Sequence, residues 1–222
     1  MKIILAISGC LLGATGLVAG SITGTVTARG PEGAPAASGG GEYQSHRYSL
    51  AERIDYDHLQ DFVVYIDQAV GGDPAARATV TQRNVSFDPP LLAIPVGTRV
   101  LWPNKDDIFH NVFSMSDAMP FDLGLYTKDQ KVPELTFSQL GRVDVYCSIH
   151  AKMHCIILVL PSRFIARSDA RGRFVLPDVP PGTYRVTAWH DRLPPQSKTV
   201  TVSAEGAQKV DFVLGLANLP KY

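Results

Sequence analysis

The sequence predicts an all-β protein, and three features of its pattern support this fold class. Short runs of alternating apolar and polar residues recur along the chain, which is the period of a strand with one buried face. Clusters of Gly, Pro, Asn and Asp separate these runs, as turns require. Segments with the helical period are scarce. A chain of 222 residues has room for one large or two modest domains.

The first twenty residues have the composition of a secretory signal peptide. Lys2 supplies a positive charge, and residues 3–18 form an apolar run with small residues. We therefore predict that segment 1–20 is removed, that the mature protein is periplasmic and that it has no integral membrane segment. The alternatives are a retained anchor, for which the run is short, and lipidation at Cys10. The net charge of zero gives no reason to expect nucleic acid or an anionic membrane as a partner.

Ten segments carry the strand pattern, and turn residues bound each of them. In chain order they are residues 22–28, 62–67, 79–85, 99–102, 142–146, 155–160, 173–176, 183–189, 198–202 and 209–214. Residues 30–41, which are rich in Gly, Ala and Pro, are predicted to form a mobile loop. Residues 50–60 have room for a short helix.

The chemistry of the chain is concentrated in the segment from Cys147 to Met153, with His110 upstream. Val143, Val145 and Cys147 share one face by the two-residue period, so we expect the cysteine to point into the core at the end of a strand. The following loop brings back first a histidine and then a methionine.

The predicted ligands are His110, Cys147, His150 and Met153. One thiolate, two imidazoles and one thioether are the ligand set of a mononuclear blue-copper site, in which the weak axial thioether tunes the potential. These four residues therefore predict one type 1 copper per chain and the transfer of one electron at a time. Zinc is the chemical rival, because Cys and His also bind it.

Several residues near the predicted ligands are expected to have structural roles rather than to bind the metal. Cys155 is predicted to be a buried thiol, with a disulfide to Cys147 as the alternative in an oxidising compartment. His154 is expected to point away from the site, since adjacent strand residues alternate in direction. Met115 and Met119 are expected to fill an apolar rim rather than bind Cu(I). Residues 105–107 are predicted to form a solvated turn.

Residues 87–160 resemble a cupredoxin, which is a Greek-key β-sandwich that holds copper. The matching motifs are Phe87-Asp88-Pro89, Pro95-Val96-Gly97-Thr98, Val100-Leu101-Trp102-Pro103-Asn104, His110-Asn111-Val112-Phe113, Gly141 and the 147–153 loop. The two-residue gaps in that loop are similar to those of amicyanin. The resemblance implies that the edge of His150 exchanges electrons with partners. It also implies that Asn111 ties the histidine loop to the cysteine loop from outside the ligand set.

Two positions distinguish this chain from other classes of copper protein. Multicopper oxidases and copper nitrite reductases place a histidine directly before the ligand cysteine, where this chain has Tyr146. A dinuclear purple site needs a second cysteine four residues after the first, where this chain has Ala151. We therefore expect no substrate-reducing centre and predict that the protein is not an enzyme.

Residues 168–176 and 179–186 resemble the carboxypeptidase-regulatory-like β-sandwich, which is transthyretin-like, and residues 199–202 and 210–214 fit its last two strands. Its first strands are similar to Gly24-Thr25-Val26 and to residues 62–66, far upstream. We therefore predict a split sandwich, formed by 21–72 and 161–218, with a cupredoxin domain at 73–160 inserted into it. Tandem order is the alternative. Together with Phe121-Asp122-Leu123-Gly124, these strands further resemble proteins labelled methylamine utilisation proteins.

The pattern as a whole predicts a periplasmic electron carrier. Its expected partner is a redox protein such as a cytochrome or a dehydrogenase, bound transiently at an apolar rim of Ile149, Ala151, Met119 and Pro120. The alternative function is copper storage or delivery without electron transfer. A scaffold role with a structural metal is a third possibility.

Overall fold

The computed structural model describes residues 19–30, 54–70 and 76–215. The predicted loop from residue 31 onward and almost all of the predicted signal peptide lie outside the described residues. Of the predicted short helix, the described part contains one turn of 3-10 helix, Tyr56–His58. No helix in the described ranges has the length and hydropathy needed to span a membrane.

The described chain is all-β, as predicted. Its strands are β1 Gly20–Ala28, β2 Val63–Ile66, β3 Arg77–Thr79, β4 Thr81–Gln82, β5 Phe87–Asp88, β6 Leu91–Pro95, β7 Arg99–Leu101, β8 His110–Ser114, β9 Phe121–Tyr126, β10 Glu134–Thr136, β11 Gly141–Tyr146, β12 His154–Leu160, β13 Ile165–Arg167, β14 Arg173–Val179, β15 Gly182–His190, β16 Leu193–Val202, β17 Ala207–Lys209 and β18 Phe212–Leu214.

Strands from the two ends of the described chain form one sandwich. β1 pairs antiparallel with β14 and parallel with β17 and β18, while β2 lies between β13 and β15, and β16 pairs with β15. The two sheets share an apolar core that includes Ile22, Ile66, Leu176 and Phe212. A Cβ atom at position 24 would lie 1.7 Å from the carbonyl oxygen of Val210, so this crossing requires glycine.

The middle of the chain forms a second sandwich. A five-stranded sheet has the order β6-β12-β11-β8-β9, and a three-stranded sheet has the order β10-β7-β3. Trp102, Phe137, Val143 and Ile157 are fully buried between them. The described strands β11 and β8 meet at Tyr146 and Phe113, which places the start of β8 beside the end of β11.

The strand β12 is buried on both of its faces. Cys155, Ile157 and Val159 belong to the core of the second sandwich. Leu158 and Leu160 belong to a third apolar cluster, which contains Val63 of β2 and has Trp189 of β15 packed against it. The continuous apolar run of this strand is therefore explained by contact between the two sandwiches.

Leu158 is 5% exposed in the third apolar cluster, so we expect its side chain to contribute to the stability of the protein. Replacing Leu158 with alanine is expected to lower the free energy of unfolding by about 2–5 kcal/mol, because a buried side chain is lost and a cavity remains. Urea denaturation of the apoprotein measures this loss. Leu140→Ala is the control, since Leu140 is 54% exposed, and it should change the free energy by less than about 0.5 kcal/mol. Equal effects of the two substitutions would contradict this role for the cluster.

The structure differs from the sequence prediction in the segment 79–85. The predicted single strand is replaced by the short strands β3 and β4, followed by Asn84 and Val85 with φ angles of 54° and 56°. Two successive residues in the left-handed region end the strand, because extended pairing needs negative φ. The strands β5, β6, β8, β9, β10 and β13 were outside the predicted set. The domain boundaries remain a prediction.

Candidate metal centre

The loop between β11 and β12 carries three of the predicted ligands. Cys147 directly follows β11 and is buried on the same side as Val143 and Val145. The loop closes on itself, because the backbone N–H of Met153 donates to the carbonyl of His150 at 2.9 Å, and the N–H of Cys147 donates to the carbonyl of Met153 at 3.3 Å. The short spacing of these residues therefore folds into one compact turn.

The remaining predicted ligand, His110, comes from another strand. It is the first residue of β8 and is fully buried. Its pairing with Tyr126 of β9 and the Phe113–Tyr146 pair between β8 and β11 place it at the same end of the sheet as Cys147. The sheet register thus joins two segments that are 36 residues or more apart in the chain.

The donor atoms of His110, Cys147 and His150 converge. The two Nδ1 atoms lie 3.1 Å apart, the Cys147 Sγ lies 3.7 Å from Nδ1 of His150, and the three donor atoms all lie within 4.8 Å of one another. With metal–nitrogen and metal–sulfur bonds of about 2.0 and 2.3 Å, a trigonal site would separate nitrogens by about 3.5 Å and nitrogen from sulfur by about 3.7 Å. The three side chains therefore fit a single metal ion, and their donor atoms are called the donor cluster below.

Met153 lies beside this group in the interior. Its side chain is fully buried in the same apolar cluster as Cys147. Its backbone contacts both Cys147 and His150, as described above. Its role as the axial ligand remains a prediction.

Asn111 contacts the cysteine through its backbone. Its N–H donates to Cys147 Sγ at 3.4 Å, while its side-chain amide donates to Asp122 of β9 at 2.7 Å. Hydrogen bonds from the Gly124 N–H and from the Asn111 amide hold the pKa of the Asp122 carboxyl below its ordinary value. The predicted link to the cysteine loop thus runs through the peptide group, and the side chain fixes β8 to β9.

Asp106 is a site residue that the sequence analysis missed. Its Oδ2 lies 2.8 Å from Nε2 of His110, on the side of the ring opposite to the donor cluster. It also accepts the backbone N–H groups of Asn84 and Val85 at 2.8 and 3.0 Å. Burial opposes ionisation here, but the hydrogen bonds from Val85, His110 and Asn84 outweigh it and lower the pKa of Asp106.

The predicted solvated turn at 105–107 is therefore wrong for its central residue. Lys105 and Asp107 are exposed, whereas the Asp106 side chain is 15% exposed. The sequence offered no signal for this difference, because the N–H groups that hold the carboxylate come from residues 21 and 22 positions away.

Two neighbouring residues lie outside the donor cluster. His154 binds Asp144 through Nε2 at 2.9 Å and stacks on Tyr146 with ring centroids 4.8 Å apart. Cys155 is a free, buried thiol, as is Cys147, so the alternative disulfide is absent from the described chain. Burial and the nearby charge of Asp144 raise the pKa of Cys155, which disfavours its use as a thiolate ligand.

The predicted apolar rim stays a prediction, although the chain beside Met119 and Pro120 leads away from Cys147. The chain from Phe113 runs along β11 away from Cys147, and a Cβ atom at Gly141 would lie 3.2 Å from the Cβ of Ala118. Gly141 begins β11, so Ala118 lies about 20 Å from the cysteine end of the strand. Ile149 and Ala151 are exposed on the metal loop itself.

Comparisons with known proteins match one family model and several solved structures. The model of the carboxypeptidase regulatory-like domain matches residues 159–215, which confirms the predicted resemblance of this segment. No curated protein sequence matches the chain.

Three solved structures are similar to part of this chain. One is a copper-containing nitrite reductase from Thermus scotoductus SA-01, with 30% identity and a TM-score of 0.36 over 41% of this chain and 24% of that protein. This chain thus spans about a quarter of the reductase. A purple cupredoxin from Nitrosopumilus maritimus has 26% identity and a TM-score of 0.33 over 37% of this chain and 98% of its own. A reduced Cu(I) form of an amicyanin mutant has 24% identity and a TM-score of 0.35 over 43% of this chain and 97% of its own.

Proposed function

We propose that this protein binds one copper ion and carries one electron at a time between redox partners in the periplasm. The observation that supports this function best is the convergence of two imidazoles and one cysteine sulfur within 4.8 Å, with a buried methionine in the same loop. This combination of soft sulfur and imidazole donors suits both oxidation states of copper. A purely structural zinc site would not need the buried thioether.

Copper bound at this site would supply a one-electron couple. The chain holds the donor groups in place, since His110 is fixed by Asp106 on its far side and the sulfur of Cys147 accepts the N–H of Asn111. The surrounding apolar core excludes water from the sulfur. Donors that cannot rearrange keep the reorganisation barrier small, which favours fast electron transfer.

The surface beside the donor cluster fits a transient protein partner. Ile149 is 51% exposed next to His150, and Ile108 and Phe109 are 45% and 53% exposed just before His110. Exposed apolar side chains beside a site indicate an interaction surface, and electron-transfer contacts are small. We infer that a cytochrome or a dehydrogenase docks here and that the protein itself is not an enzyme.

The alternative function is copper storage or delivery. Met115 is the residue that favours this alternative, because its side chain is exposed (83%) and a thioether is a soft donor that suits Cu(I). However, Met115 lies five residues along the chain from His110, or about 16 Å in an extended strand, so it does not belong to the donor cluster.

We also infer the domain division from the strand pairing. Strands β1 and β2 pair with β13, β14, β15, β17 and β18, which supports a split sandwich of 21–72 and 161–218 around an inserted domain at 73–160. The resemblance to methylamine utilisation proteins remains a prediction, as does the export by segment 1–20.

Titration of the purified apoprotein with Cu(II) tests the function. We expect one equivalent of copper to produce an intense absorption band at about 600 nm, which disappears on reduction and returns on reoxidation over repeated cycles. Zinc added first should prevent the band, because it occupies the same donors. Copper binding without the band, or a reduced form that releases Cu(I) readily to a chelator and cannot be reoxidised, would contradict electron transfer and favour delivery.

A further inference from the structure

A carboxylate stands directly behind the buried histidine of the metal centre. His110 is fully buried, its Nδ1 faces the donor cluster, and its Nε2 lies 2.8 Å from Oδ2 of Asp106. An ionised carboxylate can only accept hydrogen bonds, so the proton of the neutral ring must lie on Nε2. The lone pair of Nδ1 is then free for the metal.

The carboxylate is held in place independently of the histidine. The N–H groups of Asn84 and Val85 donate to its two oxygens, and both residues have positive φ angles of 54° and 56°. The left-handed conformation is costly for a β-branched residue such as Val85 and persists only where surrounding contacts enforce it. This turn therefore presents two N–H groups to one carboxylate and orients it before any metal binds.

A second anchor fixes the backbone of Asp106. Its N–H donates to Oδ1 of Asn104 at 2.9 Å. The side-chain amide of Asn104 in turn donates to the carbonyls of Ile108 and Tyr126 at 2.9 and 3.1 Å. Asn104 is buried, so the network connects the carboxylate to the strand that pairs with His110.

The contact between Asp106 and His110 differs from a surface ion pair. The histidine side chain is 0% exposed and the aspartate is 15% exposed, so solvent screens the charge only weakly. The next residue, Asp107, is 84% exposed and pairs with Lys128. These two adjacent aspartates carry the same charge in very different surroundings.

We propose that Asp106 is the positioning residue of the metal centre and biases it towards the oxidised metal. Its carboxylate orients the His110 ring, makes Nδ1 a stronger donor and places a negative charge near the ion. The interaction is more favourable with Cu(II) than with Cu(I), because the oxidised ion carries the larger positive charge. The effect on potential rests on the proposed function, whereas the orientation of the ring does not.

The reduction potential of copper-loaded variants tests the charge effect. Asp106→Asn keeps the shape and an acceptor oxygen but removes the charge, and it should retain the visible band. We expect the ratio of Cu(I) to Cu(II) affinity to rise about 10-fold, which raises the potential by about 59 mV for one electron. Asp107→Asn is the matched control and should leave the potential unchanged, since its charge is exposed and screened.

Proton NMR of the apoprotein tests the orientation without any metal. The Nε2 proton of His110 should give a low-field resonance that exchanges slowly with water, because it is buried and bonded to a carboxylate. The resonance should move in Asp106→Asn and disappear in Asp106→Ala, and it should persist in Asp107→Asn. The melting temperature of each apoprotein establishes that the variant is folded.

The outcomes of these experiments distinguish the proposed electron-carrier function from the proposed role of Asp106. If wild-type protein shows no reversible band, the electron-carrier function fails, and the apoprotein resonance still decides whether Asp106 orients the ring. If the wild type is a reversible copper protein but the two asparagine variants shift the potential equally, or neither shifts it, the bias assigned to Asp106 is overturned. A resonance that survives in Asp106→Ala overturns its positioning role.

Discussion

Replacing Cys147 with serine is expected to abolish the visible band of the copper-loaded protein and to weaken copper binding by more than about 100-fold. Loss of an outer hydrogen-bond partner of a ligand already costs about 10- to 100-fold, and this change removes a donor atom itself. A serine hydroxyl is a hard, weak donor that cannot replace the soft thiolate for Cu(I). Visible spectroscopy and competition with a chelator of known affinity measure the two effects.

Cys155→Ser is the matched control for this experiment. Cys155 is also buried and free, and it lies on the adjacent strand, where it pairs with Val145. The substitution makes the same chemical change without touching a donor of the cluster. It should lower stability somewhat, because a hydroxyl is buried, but it should keep the band and the copper affinity. A band that survives in Cys147→Ser, or one that is lost only in Cys155→Ser, would show that the wrong sulfur has been assigned.

Replacing Trp102 with alanine is expected to give the largest loss of stability in the chain, about 3–5 kcal/mol. The indole is fully buried, and its ring lies 6.1, 6.3 and 6.5 Å from the rings of Phe87, Phe121 and Phe137. The substitution leaves a cavity among large rings that cannot close around it. Denaturant unfolding of the apoprotein followed by circular dichroism measures the change.

Trp102→Phe separates the packing of the ring from its polarity. The indole Nε1 is buried and has no hydrogen-bond partner among the described residues, so phenylalanine loses no hydrogen bond there. We therefore expect a clearly smaller loss of stability than in the alanine variant. The carbonyl of Trp102 still accepts from Gln82 and Tyr126 in both variants, since those bonds use the backbone. Equal losses in the two variants would rule out the aromatic packing as the source of stability.

The metal loop shows which structural features can be predicted from the local sequence. The spacing of Cys147, His150 and Met153 predicts one turn at the end of a strand, and the structure closes that turn with hydrogen bonds among the same three residues. The two-residue period of the preceding strand also predicts the inward direction of the cysteine, which is buried. Both features depend on neighbours within a few residues.

Asp106 shows where local sequence fails. It stands between two exposed residues, Lys105 and Asp107, and nothing in the triplet distinguishes it. Its burial comes from the turn at Asn84 and Val85, which pairs with it across 21 and 22 residues of chain. The left-handed conformation of that turn could not be read from a valine, a residue that rarely adopts it.

The sequence by itself determined the all-β class, the types of donor atom and the compact turn that carries three of them. These properties follow from residue chemistry and from the two-residue period of a strand, and both can be recognised within a few consecutive residues. The sequence also named His110 as a ligand, but the strand register that brings it to this turn is seen only in the tertiary structure. The tertiary structure alone decided that Asp106 lies behind His110 and that β12 is covered by the other sandwich. The reason is that strand pairing and burial are decided by contacts between segments distant in the chain, which no local pattern specifies.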